Sequence, residues 1–151
     1  MTTVGSVFVD TSVLLRATIA AMPLHREAAD LVADQQSRGA TLWISRQVLR
    51  EYLAVVTRPQ TFAVPLSAAD AISRVQAFQS LFVVADDTVN VTTQLLLLLR
   101  DYPTGGKQVH DANIVATMLA YNIDTLITQN IDDMQRFSDK IAIIQLVAAA
   151  S

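Results

Sequence analysis

Short apolar runs rich in β-branched and aromatic residues alternate along this chain with longer segments whose apolar side chains recur every three or four positions. That alternation predicts βα repeats and a parallel sheet. Val7-Phe8-Val9 predicts a buried first strand ending at Asp10, followed by a helix from Thr11 to Ala20. Pro23 is placed to begin a second helix, whose stripe of Ala28, Leu31, Val32 and Gln35 ends at Gly39. Thr41 to Ile44 reads as a second strand. The helix from about Ser45 to Arg58 stops before Pro59, because a residue preceding proline avoids α geometry. Ser67 with Asp70 resembles a capping box that opens a helix through about Ser80, and Phe82-Val83-Val84 predicts a third strand. Asp86, Asp87 and Thr88 offer N-cap oxygens to the next helix, whose run Leu95 to Leu99 implies burial on most sides. Pro103, Gly105 and Gly106 form a loop before the helix of Asp111, while Thr125 to Ile127 and Ile141 to Ile144 complete five strands. No linker, low-complexity tract or internal repeat divides them, so residues 1–151 read as a single domain.

Four carboxylates break this pattern. Asp10 closes the first strand, Glu51 and Asp111 interrupt apolar helical faces, and Asp133 follows the fourth strand. Asp10 has an ordinary reading as the N-cap of the following helix. Asp111 heads the spacing Asp111, Ile114, Val115, Met118, which projects it from the core-facing stripe of its helix, and a solvated cap needs no such placement. Glu51 lies between Val48 and Val55, where pairing with Arg50 or Arg58 competes with a ligand role. Asp132 and Asp133 also suit the N-terminus of a short helix, a structural role better fitted to Asp132.

Composition limits what such a site can be. A chain of 151 residues that is 52% hydrophobic supports one globular core, and no apolar run approaches the roughly 20 residues that span a bilayer. With no basic segment leading into an apolar leader either, the expectation is a soluble, cytoplasmic protein without a membrane partner. Zero cysteines and two histidines far apart, His25 and His110, exclude a thiolate site and disfavour a zinc cluster. Any metal is therefore held by oxygen. The net charge of −3 argues against a nucleic-acid binder, but setting the four acids aside turns it into +1, and bound cations would invert the local field. Carboxylates from separate segments suit Mg2+ or Mn2+, which polarise phosphoryl oxygens and activate water. Phosphodiester hydrolysis follows from that chemistry.

The segments Val9-Asp10-Thr11-Ser12-Val13-Leu14-Leu15, Glu51-Tyr52-Leu53, Val109-His110-Asp111-Ala112-Asn113-Ile114 and Leu126-Ile127-Thr128-Gln129-Asn130, in that order, resemble a PIN domain over the whole chain. Within that family the chain is most similar to the VapC-type toxins of toxin–antitoxin pairs. The resemblance implies a PIN-like three-layer α/β/α fold with a five-stranded parallel sheet flanked by helices. It also implies an Mg2+- or Mn2+-dependent endoribonuclease that cleaves RNA, usually a homodimer, blocked by a small cognate antitoxin. Carried over by position, Asp10, Glu51 and Asp111 match the family's principal acids, with Ser12 and Thr128 as polar supports. Asn130 stands where many relatives have a fourth acid; an amide offers a carbonyl oxygen without charge, so a second metal binds more weakly unless Asp133 compensates. Met134 replaces an aromatic common after that acid, a change of packing only.

Arg46 and Arg50 lie one turn apart on the Glu51 helix, and Lys107 and His110 flank the Asp111 loop, positions from which they can bind RNA phosphates beside the acids. Each taken alone is also ordinary solvated surface. An alternative function is a catalytically weak or inactive PIN-like module that binds RNA or protein, consistent with Asn130 and the net acidity. An aspartyl-phosphate enzyme is disfavoured because Ser12 stands where such a site needs a second acid. An exposed part of the leucine run is a seat for an antitoxin helix or a dimer partner.

Overall fold

The computed structural model of the protein describes residues 5–59 and 65–148. In chain order they form β1 (Ser6–Val9), α1 (Thr11–Thr18), α2 (His25–Ser37), β2 (Thr41–Ser45), α3 (Arg46–Val56), α4 (Ala68–Leu81), β3 (Val83–Ala85), α5 (Val89–Asp101), α6 (Gln108–Ala120), β4 (Thr125–Thr128), α7 (Ile131–Met134) and β5 (Ala142–Gln145), with a 3-10 turn over Gln135–Phe137. The five strands pair in parallel in the order β3-β2-β1-β4-β5.

Successive residues on a strand face opposite sides of a sheet, yet Phe8 and Val9 are both fully buried, as are Leu126 and Ile127. Both faces are therefore covered, which makes the fold a three-layer α/β/α sandwich. Right-handed crossovers running leftward from β1 to β3 and rightward to β5 place their helices on opposite faces. The helix contacts agree: α1 packs on α2 and α3, α3 on α4, and separately α5 on α6 and α6 on α7.

Helix ends follow local chemistry. Gly39 adopts φ +85°, and Gly39 and Ala40 donate to the carbonyls of Gln36 and Gln35, closing α2 with a Schellman turn. Asn122, at φ 57°, ends α6 with the same pattern, Ile123 donating to Met118. Ser67 caps α4 by accepting from the Asp70 amide. Thr88 alone caps α5, which frees Asp86 and Asp87 for other partners.

The leucine run differs from expectation. Leu98 is buried and Leu95 and Leu99 are half-buried, but Leu96 and Leu97 are exposed at 63% and 40%. Only one stripe of α5 meets α6, so its opposite face remains in solvent.

Candidate metal centre

The chain leaves β1 for β2 and β3 on one side and returns to β4 and β5 on the other, so strand order reverses between β1 and β4. A crevice beyond the carboxyl ends of such a pair is where open α/β sheets bind ligands. Asp10 follows β1 directly, and its amide donates to Ile127 O at 3.1 Å, tying the β1 exit to β4. It is 6% exposed. Its Oδ1 accepts from the Thr11 amide at 2.7 Å, so the ordinary N-cap role is real. Its Oδ2 accepts from Thr128 Oγ1 at 2.7 Å and Ser12 Oγ at 3.2 Å. Those two hydroxyls in turn accept from the Asn130 amide at 2.9 Å and the Gln129 amide at 3.2 Å. Each hydroxyl has one proton, given to Asp10, and a lone pair that takes a backbone N–H. The loop after β4 is thereby locked onto the Asp10 carboxylate.

Glu51 arrives on the second turn of α3, which begins at the carboxyl end of β2 with Ser45 as its cap. Its Oε2 accepts from Thr11 Oγ1 at 2.7 Å and its Oε1 from Gln47 Nε2 at 2.9 Å. Among the described residues no arginine pairs with it. Arg46 instead meets Asp86 at 2.9 Å and Arg50 meets Asp87 at 3.3 Å, both exposed and both on the segment after β3.

The acids feel one another. Burial raises the Asp10 carboxyl above its ordinary range and the charge of Glu51 adds to this, against the lowering effect of its donors, Thr128 foremost. Asp111, half-buried at the start of α6, is pushed up to about 6 by burial and by the charges of Asp10, Asp133 and Glu51, with Arg136 opposing. The ion pairs found among the described residues include none of these four acids. Nor, among the described residues, are three acidic or histidine side chains gathered closely enough to hold an ion as they stand. An all-oxygen donor set that includes a buried carboxyl group with no ion pair among the described residues fits a hard divalent cation, whose charge would offset that of the acids.

A profile of the PIN domain matches residues 7–140. The chain belongs to the PIN domain family. No match was found among curated protein sequences. Solved structures with this fold include a toxin–antitoxin complex from Klebsiella pneumoniae, 18% identical with a TM-score of 0.66 over 95% of this chain and all of the other. The DNA-bound VapBC of Salmonella typhimurium is 19% identical with a TM-score of 0.66, covering 94% of this chain and 98% of that one. VapC20 of Mycobacterium tuberculosis, described as a sarcin-ricin loop cleaving toxin, is 22% identical with a TM-score of 0.62, covering 80% and 87%.

In this PIN domain the crevice brings together Asp10, Ser12, Glu51, Asp111, Thr128 and Asn130, with Asp133 close enough to act on Asp111. Asn130 stands at the N-terminus of α7 and its side chain makes no capping hydrogen bond among the described residues, and Met134 is fully buried, as a packing role requires. Arg46, Arg50 and the exposed Lys107 make no hydrogen bond to the acids among the described residues. Sequence reasoning missed Thr11 and Gln47 as the donors to Glu51. It also missed Arg136, the cation felt by Asp111, which donates to Thr104 and Gln108. An arginine three residues after Asp133 carries no distinguishing pattern. A glutamine four residues before Glu51 does, because that spacing places the two on one helix face.

No helix among the described residues is long and apolar enough to cross a membrane.

Proposed function

We propose that this PIN domain is a metal-dependent endoribonuclease, hydrolysing RNA phosphodiesters as the toxin of a toxin–antitoxin pair. The observation that carries the reading is the carboxylate cluster at the β1–β4 crevice, in which Asp10 is buried and, among the described residues, no acid forms an ion pair. Asp10, Glu51 and Asp111 are the principal ligands for Mg2+ or Mn2+, and Asp133 with the Asn130 carbonyl oxygen completes the set. Ser12 and Thr128 orient Asp10 through their hydroxyls. Bound there, a divalent cation supplies positive charge to a phosphodiester and makes water a better nucleophile at neutral pH.

Arg46, Arg50 and Lys107 bind RNA phosphates at the rim. The Arg46–Asp86 and Arg50–Asp87 pairs are exposed, so opening them for a phosphate costs little. A small antitoxin partner, a homodimer and a cytoplasmic location complete the reading. The antitoxin is supported by structural likeness to proteins described as VapBC and as a toxin–antitoxin complex.

Purified chain is incubated with single-stranded and structured RNAs in Mg2+ or Mn2+, beside Asp10→Asn and a chelated control. Cleavage is expected in the wild type with metal. Equal cleavage by the variant or in chelator refutes the assignment. A second reading, a PIN module that binds RNA or protein with little or no turnover, is favoured by one residue, Asn130, in place of an acid. Calorimetry separates the two: no heat of binding at millimolar Mn2+ selects the module.

A further inference from the structure

We propose that Gln47 is a positioning residue that sets Glu51 for metal binding and ties it to the helix that carries Asp111, an inference that rests on the metal site argued above. Gln47 is 5% exposed at the second position of α3. A buried primary amide is unfavourable unless both of its ends are satisfied. Here they are. Its Nε2 donates to Glu51 Oε1 at 2.9 Å and to His110 O at 2.8 Å, while its Oε1 accepts from Asn113 Nδ2 at 2.8 Å. A carboxylate and a carbonyl can only accept, so the partners themselves fix which way the amide faces.

The placement explains more than packing. His110 and Asn113 bracket Asp111 on the first turn and a half of α6, and the other oxygen of Glu51 is held by Thr11, the neighbour of Asp10. An unbroken line of hydrogen bonds thus runs from the Asp10 corner through Glu51 and Gln47 to the Asp111 helix. A methionine would fill the same volume, so shape alone does not call for an amide. Orientation by neutral donors leaves the Glu51 charge in place, and with one donor per oxygen among the described residues each keeps a lone pair for an ion. An arginine in the place of Gln47 would neutralise the charge that a cation needs. Holding the carboxylate in place beforehand also lowers the ordering cost of binding.

The test titrates the metal-free full chain with Mn2+ by calorimetry. Gln47→Met is expected to weaken Mn2+ binding about ten-fold or more, the usual cost of losing a partner that orients a ligand. In RNA cleavage, the concentration of Mn2+ giving half-maximal rate rises by the same factor. Tyr52→Phe is the control for a lost buried hydrogen bond in α3, since Tyr52 meets Thr18 and Arg74 and not the acids. It is expected to bind within about two-fold of wild type. Mn2+ affinity of Gln47→Met within two-fold of wild type overturns the proposal, as does an equal loss in Tyr52→Phe. If circular dichroism shows Gln47→Met unfolded, Asn113→Ala removes the outer donor from a half-buried position. A loss below about three-fold there then overturns the proposal. A wild type that binds no Mn2+ at millimolar concentration instead fails the parent reading.

Discussion

Asp111→Asn is expected to make the metal-free protein more stable at neutral pH and, on the proposed metal site, to weaken Mn2+ binding. The Asp111 carboxyl is raised from 3.8 to about 6 in the fold by burial and by the charges of Asp10, Asp133 and Glu51. Between those two pH values the folded chain holds a proton that the unfolded chain has released. Stability from this group is therefore fully present below about pH 4 and is lost as pH rises through about 6. Above that, the ionised carboxylate costs at most about 3 kcal/mol, from about 1.4 kcal/mol per pH unit. Because the group is only half-buried, solvent screening reduces this to about 1 kcal/mol. Asparagine keeps the shape and removes the charge. In EDTA at pH 7.5 the variant is expected to gain about 1 kcal/mol, a rise in Tm of about 2–4 °C for a chain of this size. The gain shrinks towards zero near pH 4, where the wild-type carboxyl is already protonated. On the proposed metal site, millimolar Mn2+ is expected to reverse the order, since it stabilises whichever form binds it. Thermal unfolding at several pH values, with and without metal, checks each step. A variant less stable than wild type in EDTA at pH 7.5, or a difference that does not fall with pH, refutes the account of Asp111 as a strained charge.

Thr128→Val removes the donor to Asp10 Oδ2 and strands the Asn130 amide, so urea unfolding at pH 7 should show a loss of about 1–3 kcal/mol with an unchanged m-value. Asn130→Asp adds a charge beside Asp10, which should tighten Mn2+ binding by calorimetry and lower the metal-free Tm; no change in either quantity places this side chain outside the metal site. Arg46→Ala and Arg50→Ala should each alter stability by less than about 0.5 kcal/mol, because their ion pairs are exposed. Measured against salt, RNA affinity should lose about one unit of log–log slope for each arginine that contacts a phosphate, and an unchanged slope removes that residue from the RNA face.

The strands and helices were legible because buried parallel strands and amphipathic helices leave separate periods in the sequence. Phe8 and Val9 show the first, and Asp111, Ile114, Val115 and Met118 the second. Asp10, Glu51 and Asp111 were legible for the converse reason, as charges at positions where the period calls for apolar groups. What surrounds them was not. Thr11 and Gln47 are neutral, and a polar residue at a helix start reads as solvated until the tertiary fold buries it. The partners of Arg46 and Arg50 were missed because Asp86 and Asp87 were read as caps, a role that Thr88 fills alone. The leucine run misled because five apolar residues in a row carry no helical phase, so the sequence could not say that Leu96 and Leu97 face outward.

The acids differ in how firmly they are held, and that difference bears on how many ions the crevice accepts. Asp10 has three donors and sits at the switch point of the sheet, so it is the fixed corner of the site. Glu51 has two neutral donors, which fix direction without cancelling charge. Asp111 and Asp133 accept no side-chain hydrogen bond among the described residues, and Asp111 is raised by burial and by the charges of Asp10, Asp133 and Glu51. On the proposed metal site, a first cation would meet two oriented carboxylates and a third, Asp111, that feels the charges of its neighbours. Binding would offset that like charge. A second cation would have to rely on Asn130, which brings an oxygen dipole but no charge, and on Asp133, whose repulsion of Asp111 a first ion has already relieved. The electrostatic gain from the second ion is smaller on both counts. If the crevice holds two ions, as the proposed metal site allows, their affinities are expected to be unequal, and Asn130→Asp should narrow the gap by strengthening the weaker step.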